Sequence, residues 1–154
     1  MIDLDNVVYK TCCYDINILL IIDKPNTEII LFKSSEKPNF YVPTISCKYG
    51  ESVVTKALKA IWNQTLNSFV ISEEQLLASP WFVIENSLFF AIHITDNDAD
   101  RMEIVMKTNI EHHLLRGKCA DVSMYKISLF AVDEYTNHKK ILLAVEKCIE
   151  LLYL

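Results

Sequence analysis

From Gly50 to Leu66 the chain reads GESVVTKALKAIWNQTL, with apolar residues at Val53, Val54, Ala57, Leu58, Ile61, Trp62, Thr65 and Leu66. Spacings of three and four residues keep these positions on one side of an α-helix, so Ser52 to Leu66 is expected to be a helix with one buried stripe. Gly50, Glu51 and Ser52 supply its start signals, and Gly50 is one of only two glycines in the chain. At about 100° per residue, Gln64 projects close to Ala57 and inside the stripe, with Ala60 and Asn63 on its flank. An amide in that position needs a hydrogen-bond partner. A helix that buries a single stripe also requires a packed layer beneath it.

The rest of the sequence supplies that layer. The stretches Val7 to Tyr14 and Ile16 to Ile22 are β-branched or apolar, the cluster Lys24-Pro-Asn-Thr27 reads as a turn, and Glu28 to Lys33 resumes as a short strand. They are expected to form a hairpin, with Ser34 to Asn39 as a polar loop. Ser72-Glu-Glu-Gln75 reads as the capped start of a short helical turn. Pro80 opens a new segment, and Trp81 to Glu85 and Leu88 to Thr95 are expected to pair around Asn86-Ser87. Asp96 to Arg101 is expected to be a polar loop, Glu103 to Met106 a strand, and Ile110 to Leu115 a helical piece ending near Gly117. Val122 to Val132 is strand-like. From Thr136-Asn137 a last helix is expected, with Ile141, Leu142, Val145, Cys148, Ile149 and Leu152 on one face. No repeat or linker divides the chain, so residues 1–154 are expected to be one mixed α/β domain.

Composition narrows the function classes. The 154 residues are 51% hydrophobic and 23% charged, as in a folded globule. The formal charge is −5 and the pI about 5.3, so no whole-protein basic field draws the chain to phosphate backbones or anionic lipid. A nucleic-acid role has to be local. The lysines at Lys48, Lys56 and Lys59, and at Lys139 and Lys140, read first as solvated faces. The five cysteines, Cys12, Cys13, Cys47, Cys119 and Cys148, include no C-x-x-C pair, and the start MIDLDNVV carries acids where a secretory signal carries bases. A reducing, cytoplasmic setting is expected. Runs such as Ile18-Leu-Leu-Ile-Ile22 are far too short to cross a bilayer, so no membrane association is expected.

Several chemical signals read more simply as structure. Asp96, Asp98 and Asp100 followed by Glu103 hint at a calcium loop, but Arg101 stands at its glycine and Lys107 at its closing glutamate. His112, His113 and Cys119 lack zinc spacing. Cys47 has no histidine beside it in sequence and reads as an inert thiol. Trp62, Trp81, Phe89 and Phe90 read as core.

The stretch from Tyr41 to Asn67, with Gly50-Glu51-Ser52 inside it, resembles the Nudix box, G-x5-E-x7-R-E-U-x-E-E-x-G-U, where U is a bulky aliphatic residue. Without a gap, Glu51 falls on the first glutamate, Ser52 to Leu58 on the seven spacers and Lys59 on the arginine. Ala60, Asn63 and Gln64 stand where the three following glutamates would be, and Thr44 and Ile45 replace upstream glycines. The resemblance implies a Nudix-like α/β/α sandwich with a mixed sheet, and an ion pair from Glu51 to Lys59 that orients the loop. In the family those glutamates hold the divalent metal for diphosphate hydrolysis. Alanine ligates nothing and amides bring no charge, so no metal, cofactor or catalytic residue is expected here.

What the resemblance implies is a binding protein on a hydrolase scaffold. Some members that have lost the glutamates bind RNA or sit in ribonucleoprotein assemblies, so RNA, a ribonucleoprotein or a nucleotide ligand is the expected partner class. Lys56, Lys59, Asn63 and Gln64 are the candidate ligand-binding residues, within a vestigial box of Gly50, Glu51, Lys59, Ala60, Asn63 and Gln64. Two alternatives stay open. A divergent hydrolase of nucleoside diphosphate derivatives would recruit carboxylates from Glu51, Glu85, Glu103 or Glu111. A protein–protein interaction module would carry a large apolar patch.

Overall fold

Strand β1, Asp15–Ile22, has no solvent face: every residue from Ile16 to Ile22 is buried. A computed structural model describes residues 3–11, 13–23, 27–115 and 121–153. The turn residues 24–26, Cys12, Gly117 and Cys119 lie outside the described residues, as does the side chain of His113.

β1 pairs in parallel with β5, Ser87–Ile94, along its whole length, from Asp15 opposite Ser87 to Ile22 opposite Ile94. Its other edge is shared: β2, Glu28–Ser34, pairs with its end at Ile21 and Ile22, and β3, Thr44–Ser46, with its start at Asp15 to Asn17. β4, Trp81–Ile84, and β6, Val122–Ser128, flank β5 and β2 and complete a mixed sheet in the order β4-β5-β1-β2-β6.

The pleat sends alternate β1 side chains to opposite faces. Ile16, Ile18, Leu20 and Ile22 join a core with α1 (Leu4–Thr11), α2 (Val53–Gln64), α3 (Glu73–Ala78) and α4 (Asp96–Leu115). Leu19 and Ile21 meet Ile141, Ala144, Val145 and Cys148 of α5, Lys139–Tyr153, on the other face. Each isoleucine or leucine so buried contributes roughly 1.5–3 kcal/mol of transfer free energy. The α/β/α sandwich and its mixed sheet are as expected. Among the described residues, no helix is long and apolar enough to cross a membrane.

Three segments depart from the sequence reading. The residues from Val7 to Thr11, expected as strand, belong to α1. Asp3 caps that helix, with its Oδ1 accepting from the Asp5 and Asn6 amides at 3.1 and 3.4 Å, and Leu4 and Val8 bury one face at i, i+4 spacing. The stretch from Asp96 to Leu115, read as loop, strand and helical piece, is one 20-residue helix. The Thr95 hydroxyl accepts from the Asp98 amide at 3.0 Å and Asp98 Oδ2 accepts from the Thr95 amide at 3.3 Å, a reciprocal cap. Ala99, Met102 and Met106 are its buried face, so the acidic run is the polar first turn of an amphipathic helix. The strand expected through Val132 ends at Ser128, whose hydroxyl caps a 3-10 turn from Leu129 to Glu134.

A stability test separates that helix from a loop. Thr95→Ala is expected to lower the unfolding free energy by about 1 kcal/mol in urea titration, and Ile104→Ala, on the exposed face, to change it by less than about 0.5 kcal/mol.

Candidate functional site

Gly50 sits at φ +87°, and a Cβ there would meet nothing within 4 Å, so glycine is favoured by backbone conformation and not by crowding. The turn is closed twice: the Glu51 amide donates to the Lys48 carbonyl at 3.0 Å, and the Lys48 amide donates to Glu51 Oε1 at 2.7 Å. Lys56 Nζ reaches Glu51 Oε2 at 2.9 Å. This ion pair, followed by the Lys48 amide, holds the Glu51 carboxyl below the ordinary glutamate range. The loop-to-helix pair expected with Lys59 is therefore made by Lys56. Lys56 lies three residues nearer the loop, and at about 1.5 Å rise per residue Lys59 starts about 4.5 Å farther along the helix.

Two side chains cap α2. Ser52 Oγ accepts from the Thr55 amide at 3.3 Å, and Asp5 of α1 accepts from the Val53 amide at 2.8 Å. The second cap crosses 48 residues of sequence. Nothing in the local pattern pointed to it.

The polar positions of the box separate. Ala60 is 1% exposed and belongs to the core. Gln64 has the partner its place in the stripe demands: its Oε1 accepts from the Thr44 amide at 2.8 Å and its Nε2 donates to the Thr44 carbonyl. Thr44 Oγ1 donates to Asn17 Oδ1 at 2.8 Å, and Asn17 Nδ2 donates to the Leu88 carbonyl at 3.4 Å. Thr44 and Ile45 thus lie in β3, tied to β1 by the strand ladder and to α2 by an amide clamp. Asn63 is exposed, as is Lys59. Trp62, expected in the core, is 42% exposed between them. The buried face of α2 is Val53, Ala57, Ala60 and Ile61, and at about 100° per residue Trp62 points away from its centre.

The remaining candidates do not gather here. Glu85 occupies the β4–β5 turn at φ +53° and pairs with Lys139 at 3.5 Å. Asp100 and Asp96 bind Lys126 of β6 at 2.7 and 3.5 Å. Glu103 and Glu111 lie on α4. Among the described residues, no three His, Cys, Asp or Glu side chains come together as a metal-holding group. Cys47 is buried, and burial first, then the charges of Glu51 and Asp5, pushes its thiol up and away from a reactive thiolate.

No family model matches the sequence, and no curated protein is similar to it in sequence. Solved structures are similar in shape. A protein described as a NUDIX hydrolase from Listeria monocytogenes superposes with a TM-score of 0.55 at 9% identity, over 90% of this chain and 93% of that one. An Ap4A hydrolase of C. elegans gives 0.52 at 11% identity, over 90% and 96%. A mutT/nudix family protein from Listeria innocua gives 0.55 at 13%, over 90% and 91%.

The chain has the Nudix fold. Leu66, at the glycine position of the Nudix box, keeps the left-handed backbone that a glycine favours, with φ +54°, and Asn67 follows at +60°. The Asn67 amide donates to the Trp62 carbonyl at 2.9 Å, and Asn109 of α4 donates to the Leu66 carbonyl at 2.6 Å. The left-handed end of α2 is thus held by hydrogen bonds without a glycine. The residues at the box positions are a poor donor set for a divalent metal. Ala60 has no donor atom, both amide atoms of Gln64 are engaged by Thr44, Asn63 offers one neutral oxygen, and Glu51 is held by Lys56 and Lys48. Mg²⁺ wants several oxygens in near-octahedral array, so the residues at the box do not fit it.

Two measurements probe this arrangement. Gln64→Glu keeps an acceptor for the Thr44 amide but turns a second acceptor towards the Thr44 carbonyl, raising the folded-state pKa of the new carboxyl. The variant is expected to lose about 1 kcal/mol at neutral pH and to recover it on acidification, when the protonated acid can donate as the amide did. Glu51 has the opposite sign. Its folded pKa is depressed, so its stabilisation is fully present above the ordinary glutamate range and fades as pH falls through the folded value. An NMR titration of the Lys48 amide should track that fall, and Glu51→Gln should abolish it.

Proposed function

We propose that this Nudix-fold chain is a non-catalytic binding protein that engages single-stranded RNA, free or within a ribonucleoprotein, through the outward face of α2. The observation that carries this reading is the half-exposed indole of Trp62, set between exposed Lys59 and Asn63 beside the vestigial box. Positions 59, 62 and 63 share one helix face, being three and four residues apart. An open aromatic face stacks a base, a lysine meets the adjacent phosphate, and an amide reads a base edge or ribose hydroxyl. The net charge of −5 argues against broad electrostatic adhesion to nucleic acid, so binding rests on this local stripe.

Gln64 and Lys56 have supporting roles in this scheme. Gln64 fixes α2 against β3, and Lys56 neutralises Glu51 so that the loop beside the stripe repels a phosphate less. A nucleotide ligand would use the same indole and lysine. The neighbouring structures include hydrolases, and metal-dependent cleavage is the reading that the experiment must exclude.

The test is tryptophan fluorescence during titration with mixed-sequence RNA octamers, and in parallel with ADP-ribose and a dinucleoside polyphosphate with Mg²⁺ or Mn²⁺. Quenching by RNA is expected. Trp62→Phe and Trp62→Ala remove the reporting indole, so they are read by anisotropy of a labelled octamer: the first should weaken binding modestly, the second roughly fivefold to a hundredfold, and Lys59→Gln should lower the salt slope by about one. Metal-dependent turnover lost in Glu51→Gln would overturn the reading in favour of a hydrolase. Silence towards both RNA and nucleotides would overturn it in favour of a protein-binding module.

A further inference from the structure

A second surface includes the Gly50 turn itself. α1 and the segment from Ser46 to Glu51 enclose a trough of about 830 Å³, within the size range of ligand sites. Its walls carry three tyrosines with largely open rings: Tyr9 is 62% exposed, Tyr14 66% and Tyr49 86%. Tyr9 and Tyr49 lean together, with centroids 5.0 Å apart and planes tilted by 48°, so they form a wedge and not a closed stack.

The charges around the wedge are mostly of one sign. Among the described residues, Asp3, Asp5 and Glu51 line the trough with Lys48, and since Glu51 is paired with Lys56 at 2.9 Å, Asp3 and Asp5 supply the negative charge that Lys56 does not neutralise. The acids are held by backbone: Asp3 caps α1, Asp5 accepts from the Val53 amide, and Glu51 accepts from the Lys48 amide. Their negative charge is therefore fixed in place, and a phosphate-bearing ligand is disfavoured here. Ring faces carry negative quadrupole potential and add to the carboxylates in favouring a cation.

We propose that this trough binds arginine or lysine side chains presented by a basic segment of a partner protein. The exposure of Tyr49 selects a polypeptide over a small free cation. A lone ammonium would leave most of that ring in water, whereas a chain lying along the trough covers it with the aliphatic stem of the basic residue. Asp3 and Asp5 then face the cationic head. The site uses neither Lys59 nor Trp62, so it stands independently of RNA binding.

The experiment is fluorescence anisotropy of an end-blocked, fluorescein-labelled hexapeptide of alternating arginine and serine, against the same peptide with citrulline for arginine. Saturable binding of the arginine peptide at 0.15 M salt and none of the citrulline peptide is expected. Tyr49→Ala, at an exposed position, should weaken binding roughly three- to thirtyfold. Asp3→Asn keeps the helix cap and removes the charge, and should weaken binding severalfold. Glu146→Gln on the exposed face of α5 removes the same charge far from the trough and should change nothing, as should Trp62→Ala. No saturable binding, equal binding of the citrulline peptide, or equal losses in Glu146→Gln and Asp3→Asn would overturn the proposal, the last because it marks diffuse attraction to the acidic chain.

Discussion

Everything in this structure is arranged around a strand that cannot face water. β1 is buried from Ile16 to Ile22, and its side chains alternate between two cores. One layer of helices could satisfy only half of it. The second layer, α5, is required by Leu19 and Ile21 as α1, α2 and α4 are required by Ile18 and Leu20. Parallel pairing with β5 belongs to the same constraint, because a sheet covered on both faces can carry near-continuous apolar strands. The far edge of β1 is divided, with β2 at one end and β3 at the other; the Pro43 carbonyl accepts from the Ile18 amide between them, and the Cys47 amide donates to the Tyr14 carbonyl, which sets the loop before α2 at the start of β1.

Around α2, polar and acidic side chains serve as structural ties. Gln64 closes α2 onto Thr44, and Asn17 and Leu88 continue the hydrogen bonds into the sheet. Glu51 draws in the Lys48 amide and Lys56 instead of offering free oxygens. The aspartates at 96 and 100 hold Lys126 and so fasten α4 to β6. Each polar group spent in this way rigidifies the scaffold, and rigid elements position exposed side chains such as Lys59, Trp62 and Asn63 at low entropic cost. The two candidate surfaces differ in character, one a cation and indole on a helix face, the other tyrosines and carboxylates beside α1.

The frame was legible where one period dominated. β1, β2, the β4–β5 hairpin, α2 and α5 all announced themselves by unbroken apolar runs or by spacings of three and four. α4 was misread because its acidic first turn resembles a loop and its buried face, Ala99, Met102 and Met106, is narrow and free of leucine. α1 was misread because Val7 and Val8 carry a β signal that the Asp3 cap overrides. Tertiary contact with α2 through Asp5 then adds what propensity lacked.

By itself, the sequence determined that a mixed α/β sheet would form, that a capped helix would follow Gly50, and that positions 60, 63 and 64 would carry an alanine and two amides and no carboxylate. Those are matters of local period and of side-chain chemistry, which no packing can change. Only the tertiary structure decided which lysine meets Glu51, that Gln64 is engaged while Asn63 is free to solvent, that Trp62 faces outward, and that α1 builds a tyrosine-walled trough against the loop. Each depends on distances between residues far apart in the chain, and a hydrogen bond or ion pair is won by the group that arrives within about 3 Å, whatever its place in the sequence.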